Sequence, residues 1–170
     1  MHLGYVCLPG DGETDRLLAE VAARLKAQGL ALAGAVQVNS HRPGRRKADM
    51  DLHLLPGGPV VRISIDRGEG ATGCRLDTAA LEEAAVVVAR RVEGADVLFL
   101  NKFGKQEAEG HGFADSLAEA LSQGIPVVVG MVDHFLEGFL AFADGHAAEL
   151  PGEVEGVLDW IAAARRERAA

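Results

Sequence analysis

The chain has 170 residues, of which 48% are hydrophobic and 25% charged, with a net charge of −8 at pH 7. That length suits one domain over residues 1–170 with a sizeable core, and the charged fraction argues against wholesale disorder. The acidic balance excludes a general nucleic-acid or anionic-membrane surface, so any bound anion must be held by a local cluster of positive groups. In chain order, Leu3 to Leu8 predicts a short buried strand running into the turn Pro9-Gly10-Asp11-Gly12. A helix follows from about Thr14, with Leu17, Leu18, Val21 and Leu25 on one face and Gly29 as its stop. Leu30 to Val38 predicts a second strand, and Asn39 to Lys47 a polar, basic loop. Met50 to Leu55 and Pro59 to Ile65 predict a hairpin around Pro56-Gly57-Gly58.

Asp66 to Gly73 reads as a glycine-rich loop, after which Asp77 or Thr78 caps a helix carrying Leu81, Ala84, Ala85 and Val88. Asp96 to Leu100 is a central strand by its apolar run, and Asn101 to Gly112 a long polar loop. Phe113, Leu117 and Leu121 mark a helix closed by Gly124, and Ile125 to Val129 the next strand. Asp133 caps a short helix with Phe135, Leu136, Phe139 and Leu140 inward, and the last helix starts near Pro151, a residue favoured at the first helical position. Strands alternating with helices imply an α/β fold in three layers, with a mostly parallel sheet and an added antiparallel hairpin. No apolar run is long enough to cross a bilayer and the first residues lack signal-peptide features, which predicts a cytoplasmic protein without membrane insertion. Cys7 and Cys74 are the only cysteines; Cys7 falls in a predicted buried strand, and the pair has no zinc spacing.

Two segments carry the chemistry. A strand, a glycine turn and a helix start make an anion site, because free backbone N–H groups point outward there. Aligned on the Walker A pattern G-x-x-x-x-G-K-[ST], the turn ends in Gly12-Glu13-Thr14, so a glutamate stands in place of the lysine that meets phosphate. A carboxylate a few ångströms from a triphosphate opposes binding by on the order of a few kcal/mol. The alternative reading is a plain strand-to-helix turn whose acids stabilise a helix start. The second segment, Val97-Leu98-Phe99-Leu100-Asn101-Lys102, has the shape of a Walker B strand, but Asn101 replaces the acid that holds Mg²⁺ and Lys102 cannot serve as a carboxylate base. One loop loses a lysine and the other gains Lys102 and Lys105, so if the strands are neighbours the positive charge has crossed the pocket. Alternatively, Lys102 and Lys105 are solvated loop lysines pairing with Glu107 and Glu109. Arg75 is suited to bidentate contact with an oxyanion, or to a structural pair with Asp77 or Asp66. Cys74 reads as a small packed residue or as a thiolate tuned by Arg75. His111, between two glycines, could donate to an anion. His134 is explained by a capped helix start, and His2, His41, His53 and His146 show no grouping that suggests a metal.

The block Asn101-Lys102-Phe103-Gly104-Lys105-Gln106-Glu107-Ala108-Glu109-Gly110-His111-Gly112 resembles the signature of an uncharacterised bacterial family encoded beside molybdate-transport genes. Gly73-Cys74-Arg75-Leu76-Asp77 and the tail from Phe142 through Leu150 to Trp160 are similar to it as well. More distantly, the block is similar to the small nucleoside-triphosphatases of thermophiles, which read Asp-Glu-Ile-Gly-Lys there. The resemblance implies a P-loop-like fold with degenerate Walker motifs and a connection with molybdate or tungstate handling. Glu13, Asn101 and Lys102 depart from the enzyme pattern and argue against ordinary hydrolysis.

The first expectation is therefore an accessory protein that binds molybdate, tungstate or, in a non-standard way, a nucleotide with or without Mg²⁺, together with proteins of molybdate transport or cofactor assembly. Its ligand residues would be Gly12, Thr14, Arg75, Asn101, Lys102 and Lys105, with Cys74, Glu107 and His111 as secondary candidates. A rival is a working nucleoside-triphosphatase with displaced groups, Lys102 or Lys105 replacing the loop lysine and Glu107 acting as metal ligand or base. Another is an interaction module that kept the fold and lost its ligands.

Overall fold

The computed structural model describes residues 1–70 and 73–170, so residues 71 and 72 of the expected Asp66–Gly73 loop lie outside the described residues. In chain order the elements are β1 (Leu3–Val6), α1 (Glu13–Ala27), β2 (Leu32–Ser40), β3 (Asp49–Leu54), β4 (Val60–Arg62), α2 (Thr78–Ala89) and β5 (Val97–Asn101). Then follow α3 (Lys105–Ala108), α4 (Ala114–Ser122), β6 (Val127–Gly130), a 3-10 turn over Asp133–Phe135, α5 (Leu136–Ala143), β7 (Ala147–Glu149) and α6 (Val154–Ala169). The strands form one sheet in the order β4-β3-β2-β5-β6-β1-β7. From β2 to β7 all neighbours are parallel, while β3 returns antiparallel to β2 and β4 antiparallel to β3. This is the expected α/β sheet with a hairpin added at one edge.

The period-2 pattern of the central strands explains why helices cover both faces. In β5, Val97 and Phe99 face the layer of α1 and α6, where Leu18, Val21, Val157 and Ile161 are buried. Leu98 and Leu100 face α2, α4 and α5, packing with Val88, Leu117 and Phe139. All five residues of β5 are buried, Asn101 included. Gly34 of β2 makes the β2–β5 pairing possible. Its φ of 98° favours glycine, and any Cβ there would collide with the Phe99 carbonyl on the neighbouring strand.

Several boundaries differ from the sequence reading. The β2 strand begins two residues late and runs on to Ser40, because its end pairs with β3 and not with β5. The expected loop Asn101–Gly112 contains the short helix α3. The last helix begins at Val154 and not at Pro151, since Glu153 is still extended at φ −133°, ψ 144°. Leu140 is exposed, and Phe139 with Ala143 forms the inward face of α5. Among the described residues no helix is long and apolar enough to cross a membrane.

Candidate functional site

The parallel strands bring the loops after β1, β5 and β6 and the carboxyl end of β2 to one edge of the sheet, the edge where open α/β folds bind ligands. The loop after β1 arches so that the Leu8 amide donates to Thr14 Oγ1 at 2.9 Å. Thr14 is buried at the start of α1, and its hydroxyl keeps a proton to donate. Gly12 caps the helix in the left-handed conformation, φ 67°. Glu13 folds back onto this arch: its Oε2 accepts from the Gly10 amide at 3.2 Å, and a side chain at Gly10 would collide with that carboxylate. The loop therefore carries an anion of its own on one of its N–H groups.

The β1 and β5 strands are not neighbours, because β6 lies between them. Contact across β6 is made at Gly130, its last residue. A Cβ there would sit 2.7 Å from Asn101 Oδ1 and 3.1 Å from the Thr14 methyl. The missing side chain lets Asn101, at the end of β5, approach Thr14, at the head of α1. Asn101 is only 2% exposed, and neither atom of its amide has a hydrogen-bond partner among the described residues.

Lys102 follows at φ 88°, a left-handed conformation that costs a lysine about 1–2 kcal/mol. Its amide and that of Phe103 both donate to the Gly130 carbonyl, at 2.9 and 3.0 Å, which pins the turn. The Lys102 ammonium reaches Met50 Sδ at 3.8 Å and makes no ion pair with a described residue. It lines a cleft of about 610 Å³ between α1, the end of β2 and the basic segment 41–48, together with Gly12, Arg16, Arg46, Lys47 and Arg75. Five permanent cations thus face two carboxylates, Asp11 and Asp15. Gly12 and Lys102 also line an adjoining pocket of about 320 Å³ with Thr14, Asp133 and His134.

Arg75 owes its place to strand-like pairing: the Ile65 amide donates to its carbonyl at 2.6 Å, and the Asp77 amide to Ile63 at 2.8 Å. Its guanidinium donates to the Ala48 carbonyl at 2.6 Å and stays on the cleft wall, not paired with Asp77 or Asp66. The basic segment is tied down at Arg42, bonded to Asp49 and Asp66, and at Arg45, bonded to Asp66. Arg46 and Lys47 are left for the cleft.

Of the residues singled out in the sequence, Gly12, Arg75 and Lys102 meet in one cleft, Thr14 lies beside it and Asn101 behind Thr14. Four others lie away from it. Lys105 is exposed and pairs with Glu109 at 3.7 Å, the solvated-loop alternative for that residue. Glu107 is 3% exposed; it accepts from the Gly104 amide at 3.0 Å and the Phe113 amide at 3.3 Å. Burial pushes its carboxyl above the usual range, and the backbone donors only partly offset this. His111 and Cys74 are exposed, so Cys74 is not a packed residue. The sequence reading missed Gln37 and Asn39, which line the cleft floor with Asp15. The available signal was two amide side chains in the tail of an otherwise apolar strand.

Comparison with known proteins gives three findings. Residues 3–160 match a family described as "Protein of unknown function (DUF2478)". Over 149 residues, 87% of this chain, the sequence is 34% identical to the Molybdenum import ATP-binding protein ModC 2 of Bradyrhizobium diazoefficiens, and the match spans only 17% of that protein's length. Among solved structures the fold is similar to THEP1 from the hyperthermophile Aquifex aeolicus, with TM-score 0.63, 17% identity and 91% of both chains covered. It is also similar to a human cancer-related nucleoside triphosphatase, with TM-score 0.55, 21% identity and 92% of both chains covered.

Proposed function

The chain belongs to the DUF2478 family, and we propose that it is an accessory protein that binds an oxyanion or a nucleotide in the cleft, without ordinary hydrolysis, in the handling of molybdate or tungstate. The observation that carries this reading is the set of cations on the cleft wall, Lys102, Arg46, Lys47 and Arg75, which form no ion pair with a described residue, at the carboxyl edge of the sheet. A chain with net charge −8 that gathers such cations into one concavity has built a local anion site. Charge enters from the β5 side and the basic segment, while the loop after β1 brings the carboxylate of Glu13. Gly12, Thr14 and Asn101 complete the proposed ligand set as backbone and neutral donors. Likeness to nucleoside triphosphatases supports a nucleotide as one ligand class.

Hydrolysis in the ordinary manner is disfavoured on this reading, because the loop lysine and the acid at the end of the strand are replaced by Glu13 and Asn101. A neutral amide ends β5, and Glu107, the one displaced candidate for base or metal ligand, is committed to two backbone amides of its own loop. The link to molybdenum rests on the Bradyrhizobium relative, a molybdenum import ATP-binding protein that joins a sequence like this chain to a much longer polypeptide. A transport ATPase of that kind is the proposed protein partner, and the cytoplasm the proposed compartment.

The test is thermal stability of the purified protein against molybdate, tungstate, sulfate, phosphate, ATP and GTP, the nucleotides with and without Mg²⁺. A ligand specific to the folded state adds roughly 2.7 kcal/mol at ~100 times its Kd. A shift with any of these that Lys102→Ala abolishes is the expected result. Equal shifts in the variant would remove Lys102 from the site, and no shift at all would overturn the reading.

A further inference from the structure

The floor of the cleft holds a polar relay whose direction is set by chemistry. Gln37 is 1% exposed, lines the cleft and donates from Nε2 to Asn39 Oδ1 at 2.7 Å. Asn39 donates from Nδ2 to Asp15 Oδ2 at 2.7 Å, and Gln37 Nε2 also lies 3.5 Å from that carboxylate oxygen. As a carboxylate, Asp15 only accepts hydrogen bonds, so the NH₂ group of Asn39 must face it. The Asn39 carbonyl then faces Gln37, which turns the NH₂ group of Gln37 toward Asn39. What remains is Gln37 Oε1, a buried acceptor with no partner among the described residues. Flipping either amide would set two donors or two acceptors against each other, so the unpaired atom can only be an acceptor.

Such an acceptor beside a cationic wall asks for a ligand with two kinds of group. A bare tetra-oxo anion in its fully ionised form has acceptors alone; it can answer Lys102 and Arg75 but not Gln37 Oε1. The cleft, at about 610 Å³, is also of the size that holds cofactor-sized molecules. We infer that Gln37 is a specificity-determining residue that selects, within the anion site proposed above and resting on that reading, a phosphorylated ligand that also carries a hydrogen-bond donor, of the nucleotide class, over a bare oxyanion. The phosphate end lies against Lys102, Arg75 and the Arg46–Lys47 wall, and the donor end over the Asp15–Asn39–Gln37 floor.

The experiment is calorimetric titration of wild type, Gln37→Met and Lys102→Ala with ADP, inorganic pyrophosphate and molybdate, all without Mg²⁺. Wild type should bind ADP more tightly than either inorganic anion. Gln37→Met, which keeps an unbranched side chain of similar length but no acceptor, should lose about fivefold in ADP affinity and keep its pyrophosphate affinity. Lys102→Ala should weaken both. If Gln37→Met leaves ADP unchanged, or weakens both probes alike with a collapsed thermal midpoint, Gln37 is structural and the inference falls while the anion site stands. Molybdate or pyrophosphate bound as tightly as ADP would likewise overturn it. If Lys102→Ala changes nothing, or no probe binds, the anion site falls and the inference with it.

Discussion

At Lys102, binding and stability pull in opposite directions. A lysine at φ 88° occupies a conformation that favours glycine, and its ammonium finds only a thioether. Lys102→Gly should relieve the left-handed strain and, after the added backbone entropy of glycine, raise unfolding stability by about 0.5–1 kcal/mol in a urea titration. The same variant should lose anion binding as Lys102→Ala does. A less stable glycine variant would mean that the side chain holds the turn. Asn101 poses the same conflict more mildly: a buried amide with both atoms unpaired is costly in a resting fold. Residue identity at these two positions was plain in the sequence. Their geometry was not, because neither a positive φ nor an orphaned amide leaves a trace in the residue letters. Gln37 was passed over for a related reason: in the tail of β2 it looks like the point where an apolar strand frays.

Among the elements, the basic segment 41–48 between β2 and β3 decides what the cleft presents. The sequence reading gave it as part of a polar, basic loop, Asn39 to Lys47. In the structure, Asp49 and Asp66 fasten it through Arg42 and Arg45. The hydrogen bond from Arg42, reinforced by the charges of Arg62 and Arg75, holds the Asp49 carboxyl below the usual aspartate range; the Gly68 amide, then Arg45, does the same for Asp66. A carboxyl lowered by folding contributes stability that is present above its unfolded pKa, about 3.9, and lost as pH falls through the folded value. This contribution to unfolding stability should therefore hold steady from neutral pH down to about 4 in urea titrations and decline only below that. Asp49→Asn should lower the urea midpoint at neutral pH and flatten the acid limb; an unchanged profile would show that the fastening lies elsewhere. Larger elements were legible because α1, α2 and α4 carry clear apolar stripes. The α3 helix was not, since Lys105-Gln106-Glu107-Ala108 has no stripe, and its one cue was the spacing of Gly104 and Glu107 as a cap. The three-residue β7, Ala147-Ala148-Glu149, is too short to alternate.

For the molecule as a whole, the alternation of strands and helices was enough to foresee a covered, mostly parallel sheet with a hairpin. It could not give the strand order. The insertion of β6 between β5 and β1 reflects which helix packs on which face, a long-range outcome that no local pattern encodes. The β2–β5 seam joins the hairpin extension, which carries Gln37, Asn39 and the basic segment, to the half of the sheet that carries Lys102 and the β1 loop. Gly34→Ala would drive a methyl group into the Phe99 carbonyl at this seam. The expected loss exceeds about 3 kcal/mol, seen as a large drop in the urea midpoint or failure to fold. A variant as stable as wild type would show that the seam can spread at little cost. The carboxylate that Glu13 lays on Gly10 has a mutational consequence. Glutamate and lysine codons differ at their first base, so the residue of a phosphate-cradling loop lies a single mutation away. Taken alone, that mutation would lift the carboxylate from the Gly10 amide and still leave Asn101 without charge for a metal. On the proposed reading, a mutational path to hydrolysis therefore crosses intermediates that serve neither ligand.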